Sequence, residues 1–155
     1  VLVAGCGTGD ALVLLTRQLL CFPRLGFHLV GVDQSARSIG VAKKRLEVMA
    51  ETVRGATLSP ETDDLLAVEL EGEDGKRGVD RHIEFVLGDL ARADKLLRGR
   101  TFDYIDISGV LHHLHRPRET LWHLREVLDA GGGVGVMLYG RYGRTGVYAV
   151  QQALR

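Results

Sequence analysis

Val1-Leu2-Val3-Ala4 runs without a break into Gly5-Cys6-Gly7-Thr8-Gly9-Asp10 and then into a leucine-rich helical pattern. A short apolar strand opening onto three glycines in five positions constrains the fold more than any other feature of the chain. Glycine permits positive φ and removes the side chains that would hold a ligand off the main chain, so such a turn suits close backbone approach. The helix predicted over Asp10 to Leu20 aims its free N–H groups and positive dipole end at the same point, which favours a carboxylate or phosphate there.

The next predicted strand, His28-Leu29-Val30-Gly31-Val32, ends in Asp33, 24 positions after Gly9. In a βαβ unit the tip of the second strand lies beside the first glycine turn, where a carboxylate can accept two hydrogen bonds from a ribose diol. Aspartate is also a common turn former at strand ends, but joined to the glycine turn Asp33 reads as a ribose ligand. The order of strand, glycine turn, helix, strand and acid describes a nucleoside site. The spacing Gly-x-Gly-x-Gly followed by Asp10 lacks the last glycine of the dinucleotide pattern, which argues against nicotinamide or flavin.

On these residues the chain resembles the class I S-adenosylmethionine-dependent methyltransferases, in particular those acting on small molecules. Gly5-Cys6-Gly7-Thr8-Gly9 is similar to the first motif of that family and Gly31-Val32-Asp33-Gln34-Ser35 to its second-strand acid. Glu84-Phe85-Val86-Leu87-Gly88-Asp89-Leu90 resembles the third-strand motif, whose aspartate meets the adenine amino group. Phe102 to Leu114, followed by Pro117, is similar to the fourth strand and its histidine-bearing loop. Leu124 to Gly132 resembles the helix and glycine turn before the fifth strand.

The resemblance implies S-adenosyl-L-methionine as cofactor, held by Ala4, Gly5, Cys6, Gly7, Gly9, Asp33, Gln34, Gly88, Asp89, Leu90, Ser108 and Gly109. It implies methyl transfer to a small-molecule acceptor, with His112 or His113 at the rim of the pocket touching the acceptor or taking its proton. Val3 stands where many members carry an acid that helps hold the amino end of the cofactor; Asp10, Ser108 or a water are the candidate substitutes.

Alternation of strands with helices implies an α/β, Rossmann-like doubly wound parallel sheet, its five strands in spatial order 3-2-1-4-5. Residues 1–155 read as one domain, incomplete at both ends, with an acidic insertion at about 51–80. Ser35 caps a second helix that ends near Val53. Strands three, four and five are expected over Ile83 to Leu87, Tyr104 to Ile107 and Gly135 to Leu138. Between the last two, Pro117 suits the first turn of a helix striped by Leu121, Leu124 and Leu128, with Trp122 packing beside them and Gly131-Gly132-Gly133 ending it. The insertion carries nine acids against three bases and is punctuated by Pro60, Gly72, Gly75 and Gly78. It reads as loop with a short helix around Asp63 to Leu70, either solvated or serving as a lid or partner surface.

Twenty basic and twenty acidic side chains cancel, so no field of one sign invites nucleic acid or an anionic membrane. No stretch approaches the roughly 20 continuous apolar residues of a membrane span, and no basic start leads into an apolar signal segment; a cytoplasmic protein is expected. Cys6 and Cys21 have the spacing of neither a redox pair nor a zinc site and read as reduced thiols. His112, His113 and His115 are too close in sequence to converge on a metal, and no cysteine near them completes a set. Tyr139-Gly140-Arg141-Tyr142-Gly143-Arg144 reads as an acceptor wall, with arginine for an anionic group and tyrosine for stacking, or as a surface loop. Two rival functions remain open on the sequence, a nicotinamide-dependent oxidoreductase and a non-catalytic binding module of the same fold.

Overall fold

The computed structural model describes residues 1–53, 56–70 and 79–140, with isolated positions 143, 147, 150, 152 and 153. Among them, seven strands form one sheet: β1 (Leu2–Ala4), β2 (Phe27–Asp33), β3 (Ala56–Thr62), β4 (Leu65–Leu70), β5 (Arg81–Leu87), β6 (Phe102–Ser108) and β7 (Leu128–Met137). Their spatial order is β3-β4-β5-β2-β1-β6-β7. The five strands expected from the sequence are β1, β2, β5, β6 and β7. They are mutually parallel, and their order is the expected 3-2-1-4-5. The chain leaves β1 toward β2 and β5, then returns to the other side of β1 for β6, so β1 stands at the topological switch where α/β sheets open a crevice at their carboxyl ends.

Among the described residues four helices pack against this sheet: α1 (Asp10–Leu20), α2 (Ala36–Thr52), α3 (Ala93–Leu96) and α4 (Pro117–Arg125). Alternating strand residues feed two cores. Val3, Leu29, Ile83 and Phe85 meet Leu12 of α1 and Ile39, Ala42 and Leu46 of α2 on one face. Leu2, Val30, Val32, Ile105 and Ile107 meet Ala93 of α3 and Leu124 of α4 on the other. Each fully buried leucine or isoleucine contributes roughly 1.5–3 kcal/mol, and burial on both faces fixes the register, because a one-residue slip would exchange the two cores. The α2 start is as expected: the Ser35 hydroxyl accepts from the Ser38 amide at 3.2 Å. Beside β5, the Arg100 guanidinium grips both carboxylate oxygens of Glu84 at 2.8 and 2.7 Å and holds that carboxyl below the usual carboxylate range.

Three expectations are corrected. The first half of the 51–80 insertion is a β-hairpin, not loop and helix. β3 and β4 pair antiparallel around Asp63-Asp64, and β4 continues antiparallel onto β5, so the sheet is mixed beyond its parallel five strands. Leu58, Leu66 and Val68 turn inward from alternate positions, a period-two pattern that the acidic composition hides. Lys43 of α2 ties down the hairpin tip, donating to the Asp63 carbonyl and pairing with Asp64 at 3.0 Å. Residues 71–78 of the insertion lie outside the described residues.

The second correction is that Leu128 and Gly131-Gly132-Gly133 belong to β7 rather than to the end of a helix. Here α4 stops at Arg125, and Phe102 and Tyr104 of β6 pair with Leu128 and Gly133 across a register shift that absorbs the extra residues. Third, Trp122 is 61% exposed, with the Arg125 guanidinium 5.2 Å above its ring. Thr120 and Leu124 take the inward side of α4, which leaves position 122 on the outer one. No helix among the described residues is long and apolar enough to cross a membrane.

Candidate functional site

The glycine turn after β1 is held by backbone bonds that only a tight, left-handed path allows. Gly5, Gly7 and Gly9 have φ of 77°, 51° and 91°. The amides of Gly5 and Cys6 both donate to the Val32 carbonyl at 2.8 Å, and the Gly9 amide donates to the Cys6 carbonyl at 2.9 Å. Gly9 caps α1 without any side-chain bond, so the first-turn amides of that helix keep their donors for water or a ligand. Arg45 of α2 braces the turn from behind, donating to the Thr8 carbonyl at 3.0 Å and pairing with Asp10 at 2.6 Å.

Asp33 sits where β2 meets this turn, and it joins three strand tips. Its Oδ2 accepts from the Gly7 amide and its Oδ1 from the Ser35 amide, both at 2.9 Å. Its carbonyl accepts from the Gly88 amide at 2.9 Å, which binds the β2 tip to the β5 tip. A carboxylate offers about four lone-pair sites, so two backbone bonds leave acceptor capacity for further donors. Asp89 follows Gly88; its Oδ1 accepts from the Ala91 amide at 2.9 Å and caps a short 3-10 turn over Leu90–Arg92.

These tips enclose a cavity of about 230 Å³ at the carboxyl edge of the sheet. Gly5 reaches it from β1, Asp33 and Gln34 from β2, and Gly88, Asp89 and Leu90 from β5. Gly109, Val110, His113 and Leu114 reach it from the loop after β6. Eight residues singled out in the sequence thus line one cavity: Gly5, Asp33, Gln34, Gly88, Asp89, Leu90, Gly109 and His113. Val110 and Leu114 are additions, and their signal was an apolar pair four residues apart in a loop that otherwise looked polar. A Cβ on Gly5 would stand 2.7 Å from Val110 Cγ2, so the bare glycine is what lets this valine close against the turn.

The remaining candidates lie behind the cavity lining. Ala4 is buried in the sheet, and Gly7 and Gly9 shape the turn without lining the cavity. Cys6 is buried against Gly31; burial, and then the nearby Asp33 charge, push its thiol up to about 12, so it stays protonated. Ser108 is exposed at the β6 tip, where its hydroxyl donates to Asp106 Oδ1 at 2.7 Å. His112 turns from the cavity and stacks against Tyr139, ring centroids 3.9 Å apart, and against His113 at 4.1 Å. Of the two histidines only His113 lines the cavity. Arg141, Tyr142 and Arg144 of the expected acceptor wall lie outside the described residues. Among the described residues no three His, Cys, Asp or Glu side chains are placed to hold a metal.

The architecture matches known proteins. A family model described as "Methyltransferase domain" matches residues 2–134. An uncharacterized protein of Synechococcus sp. is 26% identical over 154 residues, which cover 99% of this chain and 28% of that protein. A solved structure concerning the conversion of a disulfide bond into a thioacetal group during echinomycin biosynthesis has a TM-score of 0.60 at 20% identity, covering 94% of this chain and 45% of the other. The plantazolicin methyltransferase BpumL in complex with SAH has a TM-score of 0.50 at 20% identity, covering 83% of this chain and 34% of its own. The chain therefore spans less than half the length of each of these proteins, and at such identities the structural likeness concerns the fold.

Proposed function

The chain belongs to the methyltransferase domain family, and from that premise we propose that residues 1–155 form one S-adenosylmethionine-binding domain of a cytoplasmic enzyme that methylates a small-molecule acceptor. The observation that carries this reading is the convergence of Gly5, Asp33, Gly88, Asp89 and Gly109, from four strand tips, on one cavity. A nucleoside fits that set: a bare backbone on the β1 side, carboxylate acceptors at the β2 and β5 tips for ribose and base donors, and the apolar Leu90, Val110 and Leu114 as walls for a flat ring.

When bound, S-adenosylmethionine supplies an electrophilic sulfonium methyl. The chain is left with positioning and with the exclusion of water, since holding donor and acceptor in line provides most of the rate when the donor is already activated. In this reading Asp33 orients the ribose. Val110, packed against Gly5, shields the site from solvent. His113, which reaches the cavity from the loop after β6, faces the acceptor and can take its proton at a ring nitrogen. The stack of His112 on Tyr139 fixes the loop that carries His113.

Calorimetric titration tests the reading. S-adenosylhomocysteine is expected to bind more tightly than NAD; the reverse order would end it in favour of an oxidoreductase. Release of S-adenosylhomocysteine from S-adenosylmethionine across a panel of small oxygen, nitrogen and carbon nucleophiles then separates an enzyme from a binding module. With a working oxygen acceptor, His113→Ala is expected to lower turnover at saturating cofactor by roughly 10²-fold while leaving S-adenosylhomocysteine affinity within about threefold. A loss of affinity with unchanged turnover would place His113 on the wrong side of the site.

A further inference from the structure

Gly9 lets α1 and α2 close on each other at Ala42, and beside that contact the outer sides of the two helices leave a groove of about 390 Å³. It shares no residue with the cavity at the sheet edge. Its apolar part is Val13 of α1 with Val41, Val48 and Met49 of α2. Met49 is buried, but Val41 and Val48 are 39% and 60% exposed. β-Branched side chains on the solvent side of a helix add nothing to its own stability, since they lower helix propensity, and these two stand in one groove rather than scattered. Val41, Arg45, Val48 and Thr52 all line it. They recur at i, i+4, i+7 and i+11 and so form one stripe about 16 Å long, close to three helical turns.

The charges around this apolar strip are of one sign. Arg17 of α1 and Lys44 and Arg45 of α2 line the groove, and among the described residues no acid does. Glu47 and Glu51, the acids in this part of α2, are not in its lining. Arg45 is already answered by Asp10 at 2.6 Å. Arg17 and Lys44 enter no ion pair among the described residues, although the chain as a whole is neutral. Two helices offer no unpaired strand edge, so an occupant held by main-chain bonds does not fit. An occupant that lays apolar side chains along a stripe does, and that is a helix in a groove. Carboxylates on its flanks would meet Arg17 and Lys44 at the rim, where charge selects the partner more than it raises affinity. Nucleic acid is disfavoured, because the valines and methionine of the floor neither stack on bases nor bond to their edges.

We propose that the groove between α1 and α2 is a docking surface for an acidic amphipathic helix of a protein partner, its apolar face on Val41 and Val48 and its carboxylates on Arg17 and Lys44. The surface stands apart from the cofactor reading, since it needs neither a bound nucleoside nor turnover.

Two synthetic helical peptides of about four turns, long enough to cover the stripe, test the proposal on the full chain. Both carry leucine at i, i+3, i+4 and i+7; one has glutamate at the flanking positions and the other lysine. By fluorescence anisotropy the glutamate peptide is expected to bind with a Kd on the order of 10 µM, and the lysine peptide at least about tenfold more weakly. Val48→Gln and Lys44→Glu replace exposed side chains, so the thermal midpoint is expected to stay within about 2 °C. Each is expected to weaken the glutamate peptide by about fivefold or more, and Lys44→Glu to strengthen the lysine peptide. Equal binding of the two peptides, no binding of the glutamate peptide up to about 1 mM, or binding that ignores both substitutions would overturn the proposal. Retention of the protein on phosphatidylserine vesicles that Val48→Gln abolishes would overturn it in favour of a membrane surface.

Discussion

Asp33→Ala is expected to weaken S-adenosylhomocysteine binding by about ten- to a hundredfold, the effect of removing a charged acceptor of ribose hydroxyls worth roughly 1.5–3 kcal/mol. It is also expected to destabilise the protein without ligand. Asp33 accepts from the Gly7 and Ser35 amides at 2.9 Å each, and leaving such donors unpaired in a half-buried place costs about 1–3 kcal/mol apiece, less where water replaces the carboxylate. Asp33→Asn divides the two roles. The amide keeps one acceptor oxygen but no charge, so it preserves part of the turn and less of the ribose affinity. Calorimetry with S-adenosylhomocysteine, paired with thermal unfolding of the same preparations, checks both. Wild-type affinity in Asp33→Ala would show that the β2 tip carries no ribose and would move the nucleoside elsewhere on the sheet edge.

That double role explains part of what was legible in the sequence. A glycine turn and an acid 24 residues apart can be paired on paper because a βαβ unit has nearly fixed dimensions, and the structure brings them within a hydrogen bond. The parallel order 3-2-1-4-5 was legible for the same reason, since right-handed crossovers leave few topologies open. The hairpin of β3 and β4 was not. Its inward residues are few, its outward ones mostly acidic or hydroxylated, and the charge of the segment masked a short alternating pattern. The long β7 is hidden by its glycines: three in a row look like the end of a helix, whereas on β7 bare backbone accommodates Leu128 and Tyr104.

Gly9→Ala is expected to cost much more stability than Gly7→Ala in the same glycine turn. At φ of 91° an alanine is strained whatever space surrounds it, by roughly 1–2 kcal/mol for a left-handed residue. Here the space is also taken: the added Cβ would stand 2.8 Å from Ala42 Cβ and 3.0 Å from Ala42 Cα. Ala42 is fully buried in the middle of α2, so relief requires moving one helix away from the other, an overpacking cost of about 1–3 kcal/mol more. The sum, about 2–5 kcal/mol, corresponds to a fall in the thermal midpoint on the order of 10 °C for a chain of this size. Gly7→Ala supplies the control. It shares the positive φ, at 51°, but nothing lies within 4 Å of its added Cβ, so only the backbone strain of roughly 1–2 kcal/mol remains. Thermal unfolding of the two variants side by side decides the matter: equal losses would mean that α1 and α2 do not meet at Gly9 and Ala42, and a larger loss in Gly7→Ala would place the crowding on the wrong glycine. The contrast follows from the position of Gly9 between a ligand-facing turn and a helix–helix contact, where a single missing Cβ lets the first helix dock against the second while the turn ahead of it stays open to the cavity.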